Sequence, residues 1–135
     1  MRFAPVSAGF LLLVVALADA GALDLSSLRD PRPARWSLDQ SGRLEQGTLD
    51  ALDEVGQRVR SETGHELVVV VVASTDGESQ RVLGNRLFNG WEIGNRARHD
   101  GVLLFVALGD RRVEFILGDG VDEALAKADA TGAGG

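Results

Sequence analysis

The longest apolar run lies at the N-terminus, where Ala8 to Ala18 (AGFLLLVVALA) follows the positive Arg2 and leads into Ala18-Asp19-Ala20. The run is roughly half of the ~20 residues that cross a bilayer and ends at a small-x-small site, so residues 1–20 read as a cleaved signal peptide. Gly21 to Arg35 has weak periodicity and carries Pro31 and Pro33, which deny ladder donors; residues 21–35 read as an arm or linker.

From Trp36 the pattern becomes regular. Trp36 and Leu38 share one side of a short extended piece that turns at Gln40-Ser41-Gly42. Leu44, Thr48, Ala51, Leu52, Val55 and Val59 then recur every three or four residues among charged positions, which predicts an amphipathic helix capped by Ser41 and closed by left-handed Gly64. Glu66 to Ala73 is an unbroken β-branched run, the mark of a strand covered on both faces. Thr75 and Glu78 have capping-box spacing and open a second helix through Val82, Leu83, Leu87 and Phe88, ending by Gly90. An irregular stretch, 91–100, leads to an apolar strand at 101–108. Gly109-Asp110 predicts a two-residue hairpin turn, and Arg112 to Leu117 returns antiparallel with Val113, Phe115 and Leu117 on one side. Gly118-Asp119-Gly120 closes it, and Val121 to Ala128 begins a last helix.

This order predicts an α/β fold, a three-layer Rossmann-like sandwich whose mixed sheet combines parallel strands with one antiparallel hairpin. The domain is expected over 36–128, with a flexible tail at 129–135. Composition then narrows the chemistry. The 135 residues include no cysteine and two histidines, which excludes disulfide staples, thiolate nucleophiles and cysteine-type zinc sites, so any metal must be held mainly by oxygen. A formal charge of −6 opposes binding to a phosphate backbone, so no nucleic-acid partner is expected.

With these residues placed, the chain resembles the TPM domain family of extracytoplasmic α/β domains, found in thylakoid-lumen photosystem repair proteins and bacterial envelope proteins. The resemblance runs from Trp36 to Leu125. It rests on Leu38-Asp39, on Thr63-Gly64-His65-Glu66 entering the first long strand, on Leu87 to Gly94 (LFNGWEIG), and most specifically on Asp100-Gly101-Val102 through Asp110-Arg111 to Gly118-Asp119-Gly120 and Glu123. It implies a Rossmann-like fold, and some members are described as acid phosphatases or as calcium binders. Family domains continue past Gly120 with further helices, so the chain reads as shortened at its C-terminus relative to them.

The candidate chemistry is carboxylate chemistry. Asp39, Asp76, Asp100, Asp110, Asp119, Asp122 and Glu123 fall in loops and at strand ends, and calcium takes six to eight oxygens from such groups. An antiparallel hairpin puts Asp100 and Asp119 at one sheet edge and Asp110 at the other. The expected cation site is Asp100, Asp119 and Glu123, with Asp39 as a fourth ligand; the competing reading is that Asp39 caps a helix, Asp110 makes a turn and Asp119 to Glu123 favour the N-terminus of the last helix. His99 beside Asp100 is an acid–base candidate or a solvated side chain, and His65 is expected at the helix C-terminus. No Gly-x-Ser-x-Gly elbow or zinc-protease motif occurs. The expected function is a secreted or periplasmic domain that binds calcium and a membrane-protein or envelope partner; the alternative is a cation-assisted acid phosphatase acting on phosphomonoesters.

Overall fold

The computed structural model describes residues 23–94 and 96–121. The signal-peptide reading, the last helix beyond Val121, Glu123 and the tail lie outside the described residues. The strands are β1 (Ser37–Asp39), β2 (Glu66–Val72), β3 (Gly101–Ala107) and β4 (Arg112–Leu117), and the helices are α1 (Gln46–Thr63) and α2 (Gln80–Gly90). The sheet order is β1-β2-β3-β4, with β1, β2 and β3 parallel and β4 antiparallel to β3. This is the predicted mixed α/β sheet.

Strand alternation assigns the two faces. Val68, Val70 and Val72 align with Leu103, Phe105 and Ala107, and these side chains form the core under α2 together with Leu83, Leu87 and Ile116. The intervening Val69 and Val71 are buried on the opposite face with α1, whose Leu49 carbonyl and Asp53 accept from the Ser37 hydroxyl. Helix, sheet and helix make three layers. A run that is apolar at every position is therefore what β2 requires, because both of its faces are covered.

The arm is seated on this core. Leu28 is buried in it, and Leu23 and Leu25 pack against it. Arg32 donates to Glu66 at 2.6 Å, to Asp30 at 2.7 Å and to the Trp91 carbonyl, so one guanidinium ties the arm to the start of β2 and the end of α2.

Several local expectations are corrected. α1 turns inward through Leu49, Leu52, Gly56 and Val59, not through the stripe containing Thr48, Ala51 and Val55, and Gly56 is its one buried residue. A Cβ at Gly56 would strike the Trp36 side chain, so the helix approaches closest at a residue that carries no hydrophobic signal. Ser41 does not cap α1, because its backbone and hydroxyl donate to Asp39; Glu45 occupies the cap position without a side-chain bond. Gly64 does close the helix at φ 77°. The second cap is Ser79, whose hydroxyl accepts from the Val82 N–H at 3.2 Å, because the Thr75 hydroxyl is taken by the Glu78 carbonyl and by Asp110. Val82 is exposed, while Leu83 and Leu87 are buried. The hairpin has four loop residues, 108–111, with Arg111 left-handed at φ 54°. Leu108 and Gly109 donate to the Val72 and Ala73 carbonyls, which carries the chain past a two-residue turn.

Candidate functional site

The parallel strands give the sheet a carboxyl edge and an amino edge, and the predicted acids divide between them. Asp39 and Asp110 stand at the carboxyl edge. The Asp39 carboxylate accepts from the N–H groups of Ser41, Gly42 and Leu44 at 2.9, 3.2 and 3.0 Å and from the Ser41 hydroxyl. Burial pushes its pKa upward, but these bonds outweigh it and hold the carboxyl below its ordinary value. Asp110 reaches back 35 residues to accept from the Thr75 N–H at 2.8 Å, with the Ser74, Thr75 and Gln80 side chains also donating. The Thr75 amide, then the Ser74 hydroxyl, lead in lowering its pKa. Asp110 is engaged in a turn, as the competing reading expected, whereas Asp39 holds the turn after β1 and does not cap α1, whose cap position is Glu45.

The amino edge is built differently. Gly118 donates to the Gly101 carbonyl at 2.8 Å and Gly120 to the His99 carbonyl at 2.9 Å, which joins the end of β4 to the start of β3. An added Cβ at Gly118 would collide with the His99 carbonyl, one at Gly120 with the Arg98 carbonyl, and one at Gly101 with the Ile93 carbonyl. Ile93 is buried beneath this loop and Trp91 packs against the core. The loop begins in a Schellman motif: Glu92 N–H bonds to the Asn89 carbonyl and Ile93 N–H to the Phe88 carbonyl. The residue in the left-handed position is Glu92, at φ 50°, and His99 follows at φ 49°. Non-glycine residues in that region cost about 1–2 kcal/mol and gather where surrounding structure imposes them.

Two cavities open at this edge, one on each face of the sheet. On the α2 face a polar cleft of about 390 Å³ is lined by Asn85, Asn89, Glu92, Arg96, His99 and Asp119, with Phe88 and Ile116 at its base. Arg96 and Glu92 pair within it. On the α1 face an apolar slot of about 340 Å³ is lined by Val59, Leu67, Val102 and Val121, with His65 and Asp100 at one end. His65 Nδ1 lies 2.8 Å from Asp100 Oδ2, and Arg98 Nε lies 3.2 Å from the same oxygen. Asp100 is only 4% exposed. His65 thus meets Asp100 and not the helix C-terminus, because the register Glu66↔Gly101 puts the residues just before β2 and β3 side by side.

Asp100 and Asp119 share the amino edge, as the hairpin required, but line cavities on opposite faces. Asp39 is level with Val71 and Val106, six positions beyond Asp100, or about 20 Å along the strands. Of the four predicted ligands, Asp39 is remote from the amino edge, Asp100 and Asp119 share that edge while lining different cavities, and Glu123 lies outside the described residues. Among the described residues no three His, Asp or Glu side chains come together in the manner of a metal centre. The sequence reading missed the His65–Asp100 pair, whose only signal is that each residue immediately precedes a strand. It also missed Asn85, Asn89 and Glu92, which belong to α2 and its cap.

Two solved structures resemble this fold. The N-terminal domain of a protein from P. gingivalis, a solution NMR structure, superposes with a TM-score of 0.61 at 27% identity over 66% of this chain, which spans 57% of that one. The N-terminal domain of a protein from Corynebacterium glutamicum, also solved by NMR, gives 0.56 at 12% identity over 80% of this chain and 76% of its own. No curated protein matches. The sequence profile of the TPM domain matches residues 37–132, most of the chain and all of the sheet. The chain belongs to the TPM domain family.

Proposed function

We propose that this TPM domain works outside the cytoplasm by binding rather than turnover, and that calcium is taken up in the polar cleft on the α2 face. One observation carries this reading: the cleft brings the carboxylates of Asp119 and Glu92 to the same ≈ 390 Å³ as the amides of Asn85 and Asn89. Carboxylate and amide oxygens are the donors a hard cation prefers, and the C-terminal end of α2 beside them carries partial negative charge. Arg96 holds Glu92 in the free protein, so cation entry exchanges one positive partner for another. With two carboxylates the affinity belongs with weak extracellular modules, a Kd of about 10⁻⁴–10⁻³ M. A membrane-protein or envelope partner would read the loaded loop.

Calorimetric titration with calcium tests the site. Asp119→Asn and Glu92→Gln are expected to weaken binding at least tenfold, whereas Asp39→Asn, at the other edge, leaves it unchanged. Undiminished binding by Asp119→Asn overturns the assignment.

A second reading, hydrolysis of phosphomonoesters, is favoured by Arg96 and His99 in the same cleft, a phosphate-binding cation and an imidazole. It ranks second because Arg96, the cation that would meet a phosphate, is paired with Glu92 in the free protein. p-Nitrophenyl phosphate turnover at acid pH that disappears in His99→Ala would reverse the ranking.

A further inference from the structure

The turn that brings Glu92 to the polar cleft is gripped at both ends by residues outside it. Arg32 of the arm donates through Nη2 to the Trp91 carbonyl, and Glu66 at the start of β2 accepts from the Gly94 N–H at 2.7 Å. Arg32 Nη1 lies 2.6 Å from the same Glu66 oxygen, so the two grips form one unit of arm guanidinium, strand carboxylate and turn backbone. Asp30 meets Arg32 Nε at 2.9 Å and Nη2 at 2.7 Å, a paired contact that fixes the plane of the guanidinium. The Arg32 and Glu66 side chains are only 12% and 18% exposed, so salt and solvent screen this pair less than a surface one.

Between the grips stand Glu92, left-handed at φ 50°, and the buried Ile93. A residue with a Cβ resists that conformation, and it persists only where its surroundings impose it. The far side of the turn is closed as well: Gly94 has φ 96°, and a Cβ there would strike the Gly101 N–H. Loss of the Arg32 guanidinium would free the Trp91 carbonyl and leave Glu66 with Gly94 as its donor among the described residues, which opens one end of the turn.

We propose that Arg32 is a positioning residue for the cleft, and that docking of the arm and uptake of a cation are therefore coupled. This rests on calcium being the ligand of the cleft. Arg32 does not line that cavity and acts through the turn, by fixing the backbone that presents the Glu92 carboxylate. The coupling is reciprocal: a docked arm raises the affinity for calcium, and bound calcium holds the arm down by the same factor. A partner that draws the arm away thereby releases the ion.

Nuclear magnetic resonance on the full chain reads both halves of the proposal, with calcium chloride titrated against the amide shifts of residues 91–94 and amide exchange followed without calcium. R32A is expected to speed exchange at Gly94 at least tenfold relative to Leu103 in the core of β3, and to weaken calcium binding at least about fivefold. R32K keeps the charge but not the planar fork, and is expected to move both readouts in the same direction; it serves if R32A does not fold. Val70→Ala, in the buried middle of β2, is the structural control, expected to lower the urea midpoint while calcium affinity stays within twofold of the parent. An equal loss of affinity in V70A and R32A would reduce Arg32 to a structural role and overturn the proposal, as would parental affinity in both Arg32 variants. If calcium leaves residues 91–94 of the parent unmoved, it is the calcium reading that has failed, and exchange alone judges the grip: selective loss of protection at Gly94 upholds Arg32 as the residue that fixes the turn, and parental exchange in both variants overturns it.

Discussion

The two edges of one sheet use the same residue types to opposite ends. At the carboxyl edge, Asp39 and Asp110 each gather at least three donors from nearby turns, and the loops there close on themselves. At the amino edge, glycine contacts between backbones draw three segments together and leave Glu92, Arg96, His99 and Asp119 around an open cleft. In open α/β sheets ligands usually bind outside the carboxyl ends of the strands. Here Asp39 and Asp110 at those ends are engaged in turns, and although Asp39 also lines a cavity of about 390 Å³ with Arg29, Asp30 and Arg35, the cleft that gathers Glu92, Arg96, His99 and Asp119 lies at the other end. An acid in a loop is informative only once its hydrogen-bond partners are counted.

The largest expected effect breaks the amino edge. Gly118→Ala forces a methyl against the His99 carbonyl and is expected to cost at least about 3 kcal/mol in urea unfolding. Gly42→Ala, at the carboxyl edge, has φ 68° and open space around it, so only the left-handed backbone is penalised, about 1 kcal/mol. Equal losses would erase the structural contrast between the edges.

Acid tests the carboxyl edge. The folded pKa values of Asp39 and Asp110 lie below the ordinary 3.8, so the unfolded chain binds protons first as pH falls. Their contribution to stability is fully present above about pH 5 and disappears as pH drops through the folded pKa values. Asp53 behaves alike: burial raises its pKa, but the Ser37 hydroxyl, the Trp36 amide and Arg35 outweigh it and lower it overall. The urea midpoint is expected to fall between pH 5 and pH 3, and by less in Asp39→Asn than in the parent. An identical decline in both proteins would remove Asp39 from this account.

The smallest effect has the opposite sign. Glu92→Gly relieves the left-handed position of the Schellman motif and is expected to stabilise the domain by about 0.5–1 kcal/mol while weakening calcium uptake. Stabilisation without loss of calcium would separate the loop's strain from the cleft's chemistry.

Much of the framework is legible in the residues alone. Glu66 to Val72 is apolar at every position because both faces are covered, Gly64 ends α1 because a left-handed turn is needed there, and the interval from Trp91 to Asp100 carries no period because it follows no ladder. What failed were contacts made across long separations. Asp110 takes the Thr75 hydroxyl and moves the helix cap to Ser79, Trp36 selects Gly56 as the inward face of α1, and the β2–β3 register joins His65 to Asp100.

Local propensity and hydrophobic period thus determined the element order, since that depends on neighbours within a few residues. Only the tertiary structure decided that Asp110 is held by Ser74 and Thr75 and that Asp100 meets His65, because those contacts join residues 35 or more positions apart, whereas the partners of Asp39 lie within five residues of it. The same holds for the bare half of the sheet: Val113, Phe115 and Leu117 read as one apolar side in the sequence, and packing alone reveals that neither described helix covers it.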